Sequence, residues 1–426
     1  MRRFVKLKRL AIWSLVGLLL SWLISCNAAP PTSSSPELEF WTMQLQPKFT
    51  PYFTEVIRQY ESENQGIKLR WVDVPWEAME SKILTAVSAK TAPDVVNLNP
   101  NFASQLASRN AWLDLNTQIP PEVKQQYLPK IWAATTLKDA SFGIPWYLTT
   151  RITLSNQDLL SKAGIKEPPK TFEELADVAA KLKEKTGKYA LFVTFVPGDS
   201  GEVLESLVQM GVQLVDDQGK AAFNTPDGIA GFRYWVDLYQ QGLLPPEVLT
   251  QGHRHAIDLY QSGEIALLSS GAEFLTSIET NAPTIAKVTA TSPQITGKTG
   301  KKNVAVMNLV IPRDTDKAEE SVKFALFVTN TENQLGFAKA ANVLPSTVEG
   351  VKRYIEELKQ SSDSSAIAQA RQVSAMQLND AEVLVPAMKD LNKLQQIIYE
   401  NLQAAMLKEK TVEQAVKDAA DAWDSI

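Results

Sequence analysis

Residues 67–99 read IKLRWVDVPWEAMESKILTAVSAKTAPDVVNLN. The opening IKLRWVDV (67–74) is rich in apolar and β-branched residues and reads as a strand. Met79, Ile83 and Val87 then recur four apart, the spacing of one helix face. Thr91, Pro93 and Asp94 break that period, and DVVNLN (94–99) reads as another strand. Strand, helix and strand in sequence point to a parallel sheet with helices on its faces. Upstream, LEFW (38–41) is a further short strand. Thr50-Pro51 then opens a helix, with Thr as N-cap and Pro in the first helical position, and Phe53, Val56, Ile57 and Tyr60 follow at helical spacing.

The second half continues in the same style. Thr171 and Glu174 have capping-box spacing ahead of Leu175, Val178 and Leu182. KYALFVTF (188–195) reads as a buried strand and EIALLS (264–269) as another, with a Thr225-Pro226 helix start between them. Helices are expected at 316–329, 331–342, 347–359, 380–407 and 411–424. A chain of 426 residues is long enough for two such units. The expected class is α/β, in two lobes, with a helix-rich C-terminus.

Charge and composition narrow the function. Hydrophobic content of 44% and charged content of 21% are those of a globular protein. A net charge of −5 supplies no basic field for nucleic acid. The N-terminus differs from the rest: Arg2, Arg3, Lys6, Lys8 and Arg9 precede the apolar run LAIWSLVGLLLSWLI, which is short for a membrane span. It ends in LISC, and Cys26 is the chain's single cysteine. This stretch resembles a bacterial lipobox, in which the cysteine is lipidated after cleavage. Residues 1–26 are thus expected to be a lipoprotein signal peptide and the Pro- and Ser-rich 27–36 a flexible tether. Loss of five positive charges leaves 38 basic against 48 acidic residues, a net charge of −10.

Catalytic motifs are scarce. His253 and His255 are the two histidines, and H-x-H without a third ligand reads as a turn before a helix, not a metal site. GDSG (198–201) matches a serine-protease segment, but no histidine precedes Ser200, so it reads as a loop. No phosphate-binding or dinucleotide fingerprint occurs, and no cofactor is expected. Carboxylate pairs for glycoside hydrolysis are a spatial matter that spacing does not address.

Several stretches together resemble the maltose-binding-like family of extracellular solute-binding proteins. They are YESENQGIKLRWVDVPWEAMESKILTAVSAKTAPDVVNLNP, FGIPWYLTTR, SNQDLLSKAGIKEPPKTFEELADVAAKL, AAFNTPDGIAGFRYWVDLYQQGLLPPE, AIDLYQSGEIALLSSGAEFL and VKFALFVTNTENQLGFAKAANVLPS, in family order. The resemblance implies a two-lobed periplasmic-binding-protein-like fold, each lobe a sheet flanked by helices, joined by a hinge. It implies lobes of 37–143 plus 292–340 and of 144–291 plus 341–426, with chain crossings near Gly143–Pro145, Thr291 and Ala340. It also implies a monomeric, lipid-anchored receptor on the extracytoplasmic face of the membrane. That receptor would deliver a carbohydrate or polyol to the membrane subunits of an ABC importer and would not be an enzyme. Alternatives are a receptor for an anionic sugar or polyol phosphate, a secreted carbohydrate hydrolase and a structural or regulatory surface lipoprotein.

In open α/β sheets, ligands bind beyond the carboxyl ends of strands. That rule selects Thr42 and Gln44 after the first strand, and Asn97, Asn99 and Asn101 at the third. Their amides and hydroxyls suit sugar hydroxyls, while turn chemistry is the plain alternative. Asp199 and Glu202 follow the 188–195 stretch. Where relatives carry a stacking Trp after Gly-Pro, this chain has Glu273 and Phe274, and where they carry Gly-Gly-Trp it has Met307, followed by Asn308. In SFGIPWYLTTR (141–151), alternation puts Tyr147, Thr149 and Arg151 on one face and Trp146, Leu148 and Thr150 on the other. The resemblance favours the Tyr147 face as pocket, with Trp146 at the hinge. A bend at Pro145 is the route by which both aromatics would meet one ligand.

Overall fold

The computed structural model describes residues 37–426. The signal segment, Cys26 and the tether lie outside the described residues. Parallel pairing joins β1 (Glu37–Met43) to both β2 (Lys68–Val74) and β3 (Val95–Leu98). The crossovers are α1 (Thr50–Glu63) and α2 (Trp76–Ala89), and α3 (Pro100–Ala107) follows β3. One capping detail differs from expectation. Thr50 is already helical, Phe49 occupies the cap without a side-chain bond, and the Thr50 carbonyl accepts from Thr54.

The chain next forms β4 (Ile144–Thr150) and, after a single residue, β5 (Ile152–Asn156). These adjacent strands belong to different sheets. The second sheet has the order β6 (Leu267–Ser270), β5, β7 (Thr289–Pro293), and both pairings are antiparallel. The first sheet gains β8 (Lys302–Val310), antiparallel to both β3 and β4, and the two-residue β9 (Leu344–Pro345) beside β4. Parallel pairing is therefore concentrated in the first three strands, with a short parallel ladder between the start of β8 and Ala381–Glu382. The strand–helix rhythm is strong at the start of the chain and fades later, where returning strands enter from the other lobe.

Two further expectations change. Residues 188–195 are buried and extended, but among the described residues only Tyr189 makes a ladder contact, with Ile265. An apolar run reports burial and not pairing. The helix expected over 380–407 starts at Leu391, as α12 (Leu391–Met406). Pro386 lies in the stretch before it, where helix would lose a backbone donor. The other C-terminal helices lie as expected: Ala318–Val328, Thr331–Ala341, Val348–Gln360 and Val412–Asp424. Thr171, Thr225 and Thr411 each cap a helix through the side chain.

Buried residues fall into a core for each sheet region. One packs Phe40, Phe53, Trp146, Leu148, Phe324 and Phe337 on one face of the first sheet; Trp41, Met43, Met79, Leu98 and Met307 cover the other face. A separate core joins Leu154, Leu182, Phe195, Trp235, Leu268 and Tyr399 around the second sheet. Tyr354, Ala375 and Leu378 belong to the first core, whereas Ala370 belongs to the second and helix Ala366–Gln377 packs on β7, so this part of the chain bridges the two. From Leu391 onward the buried apolar residues belong to the second core. Along the strands, the sheet changes at Arg151, between β4 and β5, and over 294–301, between β7 and β8.

Buried amides tie these passages together. The Gln377 side chain accepts from the Gln294 backbone N–H at 2.8 Å and donates to the Arg151 carbonyl at 3.1 Å. Gln294 accepts from the Asn303 N–H at 2.8 Å, and Asn303 accepts from Leu384 N–H at 3.2 Å. One side chain thus clamps the first passage to the second. Gln377→Ala strips partners from buried backbone groups, and the expected loss is about 1–3 kcal/mol in denaturant unfolding.

Candidate functional site

The turn after β6 lies within reach of the charges of Lys48, on the loop after β1, and of Arg151, at the junction of β4 with β5. Alternation along β4 holds in space. Trp146, Leu148 and Thr150 are buried, while Tyr147, Thr149 and Arg151 keep solvent contact. Trp146 stacks on Phe337 at 5.0 Å and 21°, fully inside the core, so it is packing and not a ligand platform. Tyr147 meets Trp146 and Phe337 edge-on at 5.0 and 5.1 Å, which orients its ring. Among the described residues its hydroxyl has no hydrogen-bond partner, and burial raises its pKa, with Glu273 adding to the effect.

Arg151 is held by acids. Its Nε donates to Glu205 at 2.8 Å, and its guanidinium lies 3.8 Å from Glu202. Burial works against the cation, but the two carboxylates outweigh it and hold the guanidinium above its usual range. Both acids project from the helix Glu202–Gln209, at the spacing that places residues on one face. The preceding loop is pinned from α12. Gln395 and Tyr399 donate to the Ser200 carbonyl at 2.6 and 2.5 Å.

Glu273 sits in a 3-10 turn directly after β6. A Cβ placed on Gly271 would fall 2.0 Å from its Oε2, so the carboxylate lies folded over the glycine. Desolvation pushes its pKa up to about 7, against its own backbone N–H and the charges of Arg151 and Lys48. Phe274 beside it is half-buried.

The remaining candidates separate. Thr42 is buried, donates to Asp73 at 2.6 Å and accepts from Trp71 at 2.8 Å, so its hydroxyl is already engaged. Gln44 is exposed, with a positive φ of 53°. Asn99 caps α3 by accepting from Phe102 N–H at 2.9 Å. Asn97 and Asn308 are buried together between β3 and β8, joined by a 3.3 Å bond from Asn97 to the Asn308 carbonyl. The Oδ1 of each has no partner. Met307 is buried opposite Tyr147 on β8, and Asn101 is half-buried. Asp199 accepts from the His253 N–H at 2.6 Å and lies 3.1 Å from its Nδ1. Burial raises the Asp199 pKa, but the bonds to His253 outweigh it and leave it lowered. At the outer edge Arg254 reaches across to Glu77 on α2, at 3.4 Å. Glu205, Gln395 and Tyr399 escaped the sequence reading. The one available signal was the pair of acids at 202 and 205 on an apolar-faced helix.

Two sheet-centred lobes, joined by several passages and meeting at strand ends, define a two-lobed ligand receptor. A family model for bacterial extracellular solute-binding protein matches residues 46–335. The chain belongs to that family. It is similar to a protein from Synechococcus sp. MITs9220, described as a "putative oligosaccharide periplasmic-binding protein" and crystallised in complex with zinc. That protein is 49% identical over 91% of this chain and 98% of its own, with a TM-score of 0.88. The cyclic α-maltosyl-1,6-maltose binding protein of Arthrobacter globiformis shares the fold at 19% identity and a TM-score of 0.77, over 92% of this chain and 98% of its own. The diacetylchitobiose binding protein DasA of Streptomyces coelicolor is 22% identical over 68% of this chain and 69% of its own length.

Proposed function

We propose that this chain is a lipid-anchored receptor that captures a carbohydrate or polyol between its lobes and passes it to a membrane permease of the ABC type. The observation that carries the reading is the Tyr147 hydroxyl. Among the described residues it has no hydrogen-bond partner, it stands on an aromatic ring fixed from behind, and it feels the charge of the half-buried Glu273 after β6. A ring face for C–H groups beside unspent polar atoms is what sugar binding needs. The family and the relatives named for oligosaccharide binding support the same class. Ligand contact with both lobes favours a closed state, which is how such a receptor signals that it is loaded.

Hydrolysis has less support. Glycosidases pair two carboxyl groups across a bond, whereas Glu202 and Glu205 are committed to Arg151. Zinc, present with the Synechococcus relative, is not part of the reading: among the described residues no group of three or more His, Cys, Asp or Glu stands together to hold a metal ion. Lipidation at Cys26 and delivery at the extracytoplasmic face rest on the N-terminal sequence and on the family. Among the described residues no helix is long and apolar enough to cross a membrane.

A thermal-shift screen of neutral sugars and polyols, followed by calorimetry on the hits, tests this. Tyr147→Phe removes only the hydroxyl. The expected result is an unchanged melting temperature and about tenfold weaker binding, the worth of one hydrogen bond to a polar ligand. Equal affinity for both proteins, or turnover of a labelled oligosaccharide, sinks the reading.

A further inference from the structure

Charge around the cleft is lopsided. Arg151 is consumed by Glu205 and Glu202, Arg254 pairs with Glu77, and His253 is bonded to Asp199. Lys48 is the remaining nearby cation, exposed on the loop after β1, with its ammonium 5.1 Å from the Phe49 ring centre. Among the described residues, no buried cation in the cleft is left without a carboxylate. The reverse holds for Glu273. Among the described residues no side-chain donor bonds its carboxylate, which is folded over Gly271.

We propose that Glu273 selects the ligand by charge, so that the cleft takes uncharged or amine-bearing carbohydrates and rejects acidic ones. This rests on the receptor reading above and narrows it. A carboxylate short of donors accepts two from vicinal hydroxyls or from an ammonium group, and such charge-assisted bonds are about twice as strong as neutral ones. An acid sugar would instead meet like charge at short range, with its own oxygens left unpaired.

The groups that set the state of Glu273 are few. Tyr147 comes from β4, Arg151 from the link between β4 and β5, and Lys48 from the β1 loop. Helix Ala366–Gln377 packs on the same turn, and its one charged side chain, Arg371, is bonded to Asn342 instead. Glu279, on the helix that follows, is exposed. Enclosure pushes the Glu273 pKa up to about 7 from 4.5. An unfolded chain ionises this group first, so folding stability from the neutral form is complete below about pH 4.5 and is lost as pH rises through about 7.

The test has two arms, run on the whole protein and on Glu273→Gln. In the first, melting temperature is followed from pH 4.5 to 8.5 without ligand. Wild type should fall relative to E273Q across that window and run parallel to it above. Curves parallel throughout would overturn the buried-carboxylate geometry. In the second, calorimetry at pH 7.5 compares cellobiose, the diamine chitobiose and cellobiuronic acid. Wild type should bind the neutral or the amine form at least tenfold tighter than the acid, and E273Q should lose most of that discrimination. Gly271→Ala, which displaces the carboxylate without removing it, should do the same. An acid form bound as tightly as the neutral one overturns the proposal. Absence of binding by all three overturns the receptor reading for this sugar class, and with it the proposal. That failure is told apart by a first arm that still behaves as described.

Discussion

Trp146→Ala should cost about 3–5 kcal/mol of stability, the range for removing a large aromatic side chain from a core that cannot collapse around the gap. The indole has no solvent contact and stacks on Phe337, with Phe53 edge-on at 5.8 Å and Phe40 at 6.4 Å. Four aromatic rings from four elements meet there, so no neighbour moves in to fill the space. Its buried Nε1 has no hydrogen-bond partner, so the ring contributes through packing and not through a polar contact. Trp146→Phe should therefore keep most of the stability that the alanine variant loses. Urea unfolding of the three proteins gives the comparison. A ligand-binding defect in Trp146→Phe larger than its stability defect would move Trp146 from the core into the site.

Arg151→Met is expected to be as damaging, for a different reason. Glu205 and Glu202 would be left in a poorly solvated place with no counter-ion, which typically costs about 3–5 kcal/mol. The side chains of Arg151, Glu202 and Glu205 are 25%, 16% and 14% exposed, so solvent cannot take over the pairing. Because this residue is also the link between β4 and β5, relaxation there would be felt in both sheets. The triple variant with Glu202→Gln and Glu205→Gln should recover most of the loss, since no buried charge is then unpaired. No recovery would mean that the guanidinium acts through shape rather than through charge.

Much of this arrangement is legible along the chain, and the exceptions have physical causes. Period-two alternation sorted Trp146 from Tyr147 because one face of β4 is buried and a strand has no other way to place its side chains. The same alternation set Arg151 beside Tyr147 but said nothing of its partners. Those lie on a distant helix, Glu205 being 54 residues away, whose approach is decided by tertiary packing. Polar residues at strand ends read equally well as ligand groups or as turn chemistry, and two of them have local partners. Thr42 is bound to Asp73, and Asn99 to the first turn of its own helix. Local hydrogen bonds of that kind compete for the same side chains as a ligand does. Gly143 and Pro145 mark a bend in sequence, whereas the change of sheet occurs after β4 has finished pairing with β8. Antiparallel entry of β8 has no sequence signature at all, because strand direction belongs to the whole topology.

Glu273 is the most informative side chain of the proposed site, because a half-buried carboxylate demands donors. Its position over Gly271 gives that glycine a role that backbone conformation does not require, since its φ of −94° is open to any residue. On the proposed reading the site is a polar clamp more than a stacking platform, with the half-buried rings of Tyr147 and Phe274 as its aromatic surfaces.

The most direct test is native mass spectrometry of the protein purified from its own cells, alongside Tyr147→Ala prepared the same way. The account predicts a fraction of wild-type molecules carrying one added mass, identified on release as an uncharged or amine-bearing carbohydrate or polyol, and its loss from the variant. An acidic or non-carbohydrate molecule in the cleft, or occupancy unchanged by Tyr147→Ala, would contradict it.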